Sequence, residues 1–345
     1  MKIIIDAMSG DNAPGEIVKG ALLAREAYGA DVVLVGAEQT VREHLRALGA
    51  SEDAGLAVAD ATEVIDMHDD PSTAVRRKKQ SSMSVALELL KSGAGDAVIS
   101  AGNTGALLTG ATLLIKRIQG IRRAAMAPVI PNGGKGTLLI DCGANVECTP
   151  EYLLQFAFMG SFYARSVLGI SQPRVGLLSN GAEDTKGTEL CKAAYALLKA
   201  AGEAGRIDFI GNVEGSDMFS GRADVIVADG YTGNIMLKTA EGTIKFLMSN
   251  LKTVLTASAK NKLGAALIKN DLSELKRTLD VKEVGGTPFL GIRKPVVKAH
   301  GNSDARAISS AVRQAIHFVN AGVIADIERN IQYMKIHASE GEGEI

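Results

Sequence analysis

The sequence predicts a three-layer α/β/α fold on a mostly parallel, doubly wound sheet, and three observations carry that expectation. Short apolar runs alternate with helix-period segments along most of the 345 residues, the pattern of strand–helix units with both sheet faces covered. Gly and small polar residues gather just after the apolar runs, at the edge where such sheets bind ligands. No Pro- or Ser-rich linker divides the chain, so residues 1–338 read as a single α/β/α domain, with two lobes and a cleft as the open alternative.

Taken in order, Lys2 to Asp6 is a strand, followed by a helix over Ala13 to Tyr28. Val32 to Gly36 and Leu56 to Ala59 read as strands around a helix at Thr40 to Leu48. A helix at Met83 to Lys91 precedes a strand at Ala97 to Ser100. Thr137 to Asp141, Arg174 to Leu178, Asp208 to Gly211 and Asp224 to Ala228 continue the strands, with a helix at Thr188 to Ala201. From Leu251 to Leu279 the pattern becomes helical throughout and Lys-rich, a protruding excursion from the sheet. Residues 339–345 are Glu- and Gly-rich and are expected to fray.

Composition narrows the function. Hydrophobic residues make up 46% and charged residues 22%, enough for an ordinary core, while the net charge of −1 gives no global field for nucleic acid. Trp is absent and aromatics are 4%, which removes the stacking platforms of single-strand binders. Cys142, Cys148 and Cys191 form no metal-ligand spacing with the five histidines, so no metal or cofactor is expected, and the low odd count fits a reducing cytoplasm. No basic leader with an apolar core and no membrane-spanning run of about 18 apolar residues is present.

One turn is written twice. Ala97 to Ser100 runs into Ala101-Gly102-Asn103-Thr104-Gly105, and Val225 to Ala228 runs into Asp229-Gly230-Tyr231-Thr232-Gly233-Asn234. Each reads as a buried strand, a tight turn and a helix start, whose outward N–H groups favour phosphate or a developing oxyanion. The plainer alternative is that Thr caps each helix and Gly permits the turn.

Other strand ends carry similar chemistry. Asp6, before Met8-Ser9-Gly10-Asp11-Asn12, reads as pocket floor, or else as part of a turn in which Asp11 or Asn12 caps the next helix. Arg76, Arg77, Lys78 and Lys79 precede a Ser-Ser cap and could hold an acidic partner, although basic runs are commonly solvated faces. Asn145 follows Asp141-Cys142-Gly143-Ala144. Cys142 has no neighbouring base or nucleophile elbow and reads as a small buried thiol. Lys186, after Ser179-Asn180-Gly181, is either a phosphate-binding point charge or a surface partner of Glu183 or Asp184. His300 sits in a Gly-, Asn- and Ser-rich loop and is a pocket candidate or a structural histidine.

The P-loop, Gly-x-Gly-x-x-Gly and Gly-x-Ser-x-Gly motifs are missing from their expected places. Backbone N–H, Asn, Thr, Lys and His remain, a set suited to a nucleophile that needs little activation. Phosphate attacking a thioester is such a case, requiring positioning, charge neutralisation and an oxyanion hole.

Together, Asp-Ala-Met-x-Gly-Asp at Asp6, Arg-Arg-Lys-Lys-x-Ser-Ser at Arg76 and Ser-Ala-Gly-Asn-Thr-Gly-Ala at Ser100 resemble the PlsX family of phosphate acyltransferases. So do Gly-Ala-Asn at Gly143, Gly-Asn-Val-Glu at Gly211, Asp-Gly-Tyr-Thr-Gly-Asn at Asp229 and Ala-His-Gly-x-Ser-Asp at Ala299. Ser9 and Ser179 stand where the family often has Gly and Asn. The resemblance implies an isocitrate/isopropylmalate dehydrogenase-like fold, shared with phosphotransacetylases, and a homodimer. It implies reversible acyl transfer from acyl carrier protein to inorganic phosphate, with the acyl-phosphate passed to a membrane glycerol-3-phosphate acyltransferase for phospholipid synthesis. On this reading Asn103, Lys186, Asp229, Asn234 and His300 are catalytic candidates. Asp6, Gly102, Thr104, Gly105, Asn145, Thr232 and Gly233 are candidates for binding phosphate or substrate. The acidic carrier would dock on Arg76, Arg77, Lys78, Lys79, Lys116, Arg117, Arg122 and Arg123. Family members associate peripherally with the membrane through a helical tip, here 251–279. An apolar stripe of Leu251, Val254, Leu255, Leu263, Ala266 and Leu267 lies there among Lys252, Lys260, Lys262 and Lys269, with Lys276 and Arg277 following. A metal- and NAD-dependent dehydrogenase, drawing on Asp224 and Asp229, and a non-catalytic membrane scaffold are the competing readings.

Overall fold

The computed structural model describes residues 1–50, 55–279 and 285–334. The 339–345 tail and the Lys276 and Arg277 side chains lie outside the described residues. The first lobe begins with Lys2–Asp6 (β1), Asp31–Gly36 (β2), Leu56–Asp60 (β3) and Ala97–Ser100 (β4), all parallel. In β1 and β4 every residue but Lys2 is buried, and all are apolar except Lys2 and the terminal Asp6 and Ser100, as expected of central strands covered on both faces. The chain then crosses over through Ala125–Met126 (β5) and Val129–Ile130 (β6). Thr137–Ile140 (β7), Arg174–Leu178 (β8), Asp208–Val213 (β9) and Val225–Val227 (β10) build the second lobe. Thr287–Leu290 (β11) and Val296–Lys298 (β12) return to the first.

The strands form two sheets rather than the one expected: a seven-stranded sheet in the order β3-β2-β1-β4-β12-β11-β5 and a five-stranded sheet in the order β6-β7-β10-β8-β9. The short crossover explains the difference. Its first half pairs antiparallel with β11 and its second half antiparallel with β7, so one extended segment serves as an edge of both sheets. Sequence reading passed over β5 and β6 because two-residue strands have no periodicity to detect.

Strand direction then fixes the position of the cleft. β5 runs parallel to β1, β4 and β12, since both β5 and β12 are antiparallel to β11. The crossover therefore leaves the first lobe past its carboxyl edge, and β7 returns antiparallel to it. β10 and β8 follow β7 in parallel. The carboxyl ends of the two sheets consequently face one another.

A helix at Pro150–Ser166 forms the centre of the main core, with every residue from Leu153 to Ala164 buried. Its all-round burial is why its sequence lacks a polar face. A 27-residue helix, Gly230–Thr256, begins at the cleft and runs outward. Its buried residues are Gly230, Gly233, Leu237 and Ala240, so its second half leaves the core. Ser258 caps a further helix, Ala259–Leu267, and Lys269–Leu279 follows. The helical excursion thus starts earlier than Leu251 and is broken into three pieces.

Candidate active site

The first-lobe side of the cleft is built on a row of polar residues at the ends of three adjacent parallel strands. Lys298 of β12 is in register with Ser100 of β4. Ser100 lies one residue beyond the Ile5–Ile99 pair, level with Asp6. In-register neighbours share a sheet face, and here Ser100 Oγ donates to Asp6 Oδ2 at 2.7 Å. Ser100 Oγ in turn accepts from the Gly102 N–H at 3.1 Å. Asp6, Ser100 and Lys298 are all buried. Asp6 is therefore an internal support of the pocket floor rather than a surface group.

Lys298 Nζ donates to the carbonyl of Ala101, at 3.2 Å, and to that of Ala299. The ammonium thus ties together the two loops that leave β4 and β12. Burial pushes its pKa down to about 8, against the pull of Asp6 and Asp11, and Lys238 of the second lobe lowers it further. Sequence reading missed Lys298 although it adjoins His300. Its signal was a lone lysine closing an apolar strand, Val296-Val297-Lys298.

The remaining first-lobe candidates surround this row. Asn103 caps the helix Thr104–Gly110, its Oδ1 accepting from the Ala106 N–H at 3.1 Å. Its Nδ2 donates to the carbonyls of Asp66 and Asp69, both at 3.4 Å, so Asn103 pins the preceding loop to the turn. Gly102, Thr104 and Gly105 share that turn. A Cβ on Gly105 would stand 2.8 Å from Pro71, so this glycine is required by packing. His300 is exposed. Its carbonyl accepts from Ser303 Oγ at 2.7 Å, and the Gly301 carbonyl accepts from the Asp11 N–H at 2.8 Å. Neither Asp11 nor Asn12 caps the first helix, which starts after Pro14. Asn12 Nδ2 instead donates to the Ser303 carbonyl at 3.2 Å.

The second-lobe side is organised by Asp141, fully buried after β7. Its carboxylate accepts N–H bonds from Met126, Cys142, Ala144 and Asn145, and from Asn145 Nδ2 at 3.0 Å. Burial raises its pKa while these donors oppose the rise. Asn145 Nδ2 also donates to the Ala124 carbonyl at 2.8 Å. Asn145 therefore links the crossover to the second-lobe loop. The Gly230 N–H donates to the Asn145 carbonyl at 2.8 Å.

Asp229 caps the long helix, Oδ1 accepting from the Thr232 N–H at 2.8 Å and Oδ2 from Thr232 Oγ1 at 2.7 Å. In both copies of the repeated turn the cap is the residue before the first helical position, Asn103 or Asp229, and not the Thr. Asn234 is exposed one turn further on, beside Gly143. Lys186 is exposed in the loop after β8, its N–H donating to the Glu183 carbonyl at 3.1 Å. β8 adjoins β10, so Lys186 and Asp229 lie on the same sheet edge.

The structure thus brings Asp6, Gly102, Asn103, Thr104, Gly105 and His300 together on one edge. It gathers Asn145, Lys186, Asp229, Thr232, Gly233 and Asn234 on the facing one. Asp224 is not with them. It sits at the opposite end of β10, paired with Arg174 at 2.9 Å, and so cannot join Asp229 in one ligand set. Among the described residues no group of three or more His, Cys, Asp or Glu side chains is arranged to hold a metal ion. Burial pushes the Cys142 thiol well up and that of Cys148 to about 12, so both are protonated near neutral pH. In the basic run, Lys78 is already paired with Asp69 at 2.6 Å and bonded to the Val64 carbonyl, while Arg76, Arg77 and Lys79 are exposed. Arg122 and Arg123 are exposed beside the crossover, Arg123 over the Tyr152 ring.

Comparison with known proteins agrees in fold and in sequence. A phosphotransacetylase from Streptococcus pyogenes superposes with a TM-score of 0.60 at 18% identity, covering 92% of this chain and 94% of that one. A 4-hydroxythreonine-4-phosphate dehydrogenase from Klebsiella pneumoniae gives 0.53 at 14% identity, covering 92% and 99%. At these identities the likeness concerns the fold. In sequence, a phosphate acyltransferase from a Geobacillus species is 48% identical over 334 residues, 96% of this chain and 99% of the relative. Another from Thermoanaerobacterium thermosaccharolyticum is 46% identical over 332 residues, 96% and 97%. Residues 1–326 match the family described as fatty acid synthesis protein. The chain belongs to that family, together with the phosphate acyltransferases it resembles over nearly its whole length, and is itself an acyltransferase.

Proposed function

We propose that the chain reversibly transfers a fatty acyl group from acyl carrier protein to inorganic phosphate. A phosphate oxygen attacks the thioester carbonyl, the C–O bond forms, the C–S bond breaks, and the carrier leaves as a thiolate that takes up a proton. The observation that supports this most is the pair of facing sheet edges, lined by Asn, Thr, Lys and backbone amides, with Cys142 and Cys148 held as thiols. A nucleophile already anionic and a leaving group already stable need positioning and charge neutralisation more than a covalent relay. Lys186, Asn234 and His300 are exposed toward solvent. Asn103 and Asp229 cap the helices that leave the two copies of the repeated turn, and the second of these helices carries Asn234.

The acidic carrier docks on Arg76, Arg77 and Lys79 and on Arg122 and Arg123, with Lys78 contributing little because Asp69 neutralises it. The acyl-phosphate goes to a membrane glycerol-3-phosphate acyltransferase for phosphatidic acid synthesis, and the protein acts as a cytoplasmic homodimer that rests on the membrane. Among the described residues no helix is long and apolar enough to cross a bilayer. Leu263 and Leu267 are 67% and 81% exposed beside Lys260, Lys262 and Lys269, a composition suited to a lipid interface. Phosphate-dependent release of carrier thiol from acyl carrier protein tests the reaction. Its absence in folded protein would overturn this reading.

A further inference from the structure

We propose that Asn212 and Gly181 are positioning residues for Lys186, setting its ammonium where it meets the reacting phosphate and thioester; this rests on the phosphate-transfer reading above. Lys186 stands in an exposed loop between the end of β8 and the helix Glu189–Glu203. Among the described residues it forms no ion pair, although Glu183 and Asp184 precede it in the same loop. The surface pairing open from sequence is therefore not made. A lysine on an exposed loop samples many placements, whereas catalysis needs one.

Two contacts supply that placement. The Lys186 N–H closes a tight turn on the Glu183 carbonyl at 3.1 Å. The same carbonyl accepts from Asn212 Nδ2 at 2.7 Å, which fastens the turn to the sheet. Asn212 is only 1% exposed, and an irregularity in β9 places it. Val175 pairs with Phe209 but Leu177 pairs with Asn212, so β9 carries one extra residue between them. Regular pairing would set Gly211 opposite Leu177; the bulge sets Asn212 there instead, with Gly211 taking a φ of +89°. The Ser179 N–H continues the ladder to the Val213 carbonyl at 2.9 Å, so the loop begins beside Asn212. Asn212 Oδ1 has no partner among the described residues, so this buried amide serves the loop through its donor alone. Gly181 acts on the side chain. A Cβ there would stand 2.9 Å from Lys186 Cγ and 3.3 Å from its Cδ, so the lysine stem crosses directly over the Gly181 backbone.

Kinetics of the full-length protein with acyl carrier protein and phosphate test this. Asn212→Leu keeps the size of the side chain and removes the donor. Gly181→Ala pushes on the lysine stem and leaves the core untouched. Each should lower kcat about tenfold or more, the scale of a displaced catalytic group, while the carrier KM stays within about twofold. Repeated in a Lys186→Ala background, each should cost nothing further, because residues that act as a unit are not additive. A merely structural role would lower both backgrounds by the same factor. Wild-type turnover in folded Asn212→Leu or Gly181→Ala, or equal losses with and without Lys186, overturns the inference. If Lys186→Ala itself keeps full turnover, the inference falls with Lys186 while the reaction stands. If wild-type protein shows no phosphate-dependent thiol release, the parent reading fails. Should Asn212→Leu fail to fold, Asn212→Ser, too short to reach the Glu183 carbonyl, carries the same test.

Discussion

Replacing Gly233 by Ala should destabilise the protein, although alanine is ordinarily the better helix former. Gly233 is in the first turn of the long helix, and a Cβ there would stand 1.9 Å from the Asp141 carbonyl oxygen. That is roughly 1.5 Å inside ordinary contact, and the obstacle is backbone, which cannot rotate away. Helix and β7 turn would have to separate, straining the Gly230–Asn145 hydrogen bond. Overpacking of this kind costs about 1–3 kcal/mol, exceeding the gain of about 1 kcal/mol from helix propensity. Gly242 provides the control: it is on the same helix with nothing within 4 Å of its Cβ position. Gly242→Ala should stabilise by up to about 1 kcal/mol. Thermal unfolding followed by circular dichroism should move the two variants in opposite directions by a few degrees. Turnover should fall only in Gly233→Ala, whose displaced helix carries Asn234 away from Gly143. A Gly233→Ala protein as stable as wild type, or an equal loss in Gly242→Ala, would refute the seating of the helix on the Asp141 turn.

The thiols, the exposed lysine and the helical tip give further tests. Changing Cys142 and Cys148 to Ser should leave phosphate-dependent turnover within a few-fold of wild type, since burial keeps both protonated. Its abolition in folded protein would point to an acyl-cysteine intermediate. Lys186→Ala should lower turnover by about 10²-fold if Lys186 stabilises the oxyanion, with little change in unfolding temperature because the side chain is exposed; full turnover would remove it from the chemistry. Leu263→Glu with Leu267→Glu should abolish co-sedimentation with anionic vesicles while soluble turnover persists, and undiminished co-sedimentation would assign this surface to another role.

The strands of both lobes were legible because short apolar runs that end in small or polar turn residues have few other uses. Lys2–Asp6, Ala97–Ser100 and Arg174–Leu178 occupy the residues their patterns indicate. The division into two sheets was not legible, because it depends on which partners Ala125–Ile130 finds on either side, and pairing leaves no trace in a local window. The repeated turn was legible as a place, less so as chemistry. Gly105 and Gly233 answer to Pro71 and to the Asp141 carbonyl, contacts with residues far away in sequence. Lys298 escaped notice for the same reason: its place beside Ser100 and Asp6 exists only once three strands lie in register.

The same geometry recasts Asp229, and a charge-neutral substitution separates its two possible roles. A carboxylate that accepts from the Thr232 N–H and hydroxyl already satisfies the positive end of the long helix. It also places negative charge on the edge where phosphate must approach. Asp and Asn cap helices about equally well, so Asp229→Asn should fold with nearly unchanged stability. With the competing charge removed, phosphate should bind more tightly, by the 0.3–1 kcal/mol typical of a charge at a helix end, or about two- to five-fold. A group that moves a proton in the reaction behaves otherwise, since its amide cannot replace it and rate losses of about 10²-fold or more follow. Phosphate KM and kcat measured side by side decide between them. A lowered KM with preserved kcat makes Asp229 the holder of the turn, whereas a collapse of kcat at unchanged stability makes it a participant in proton transfer.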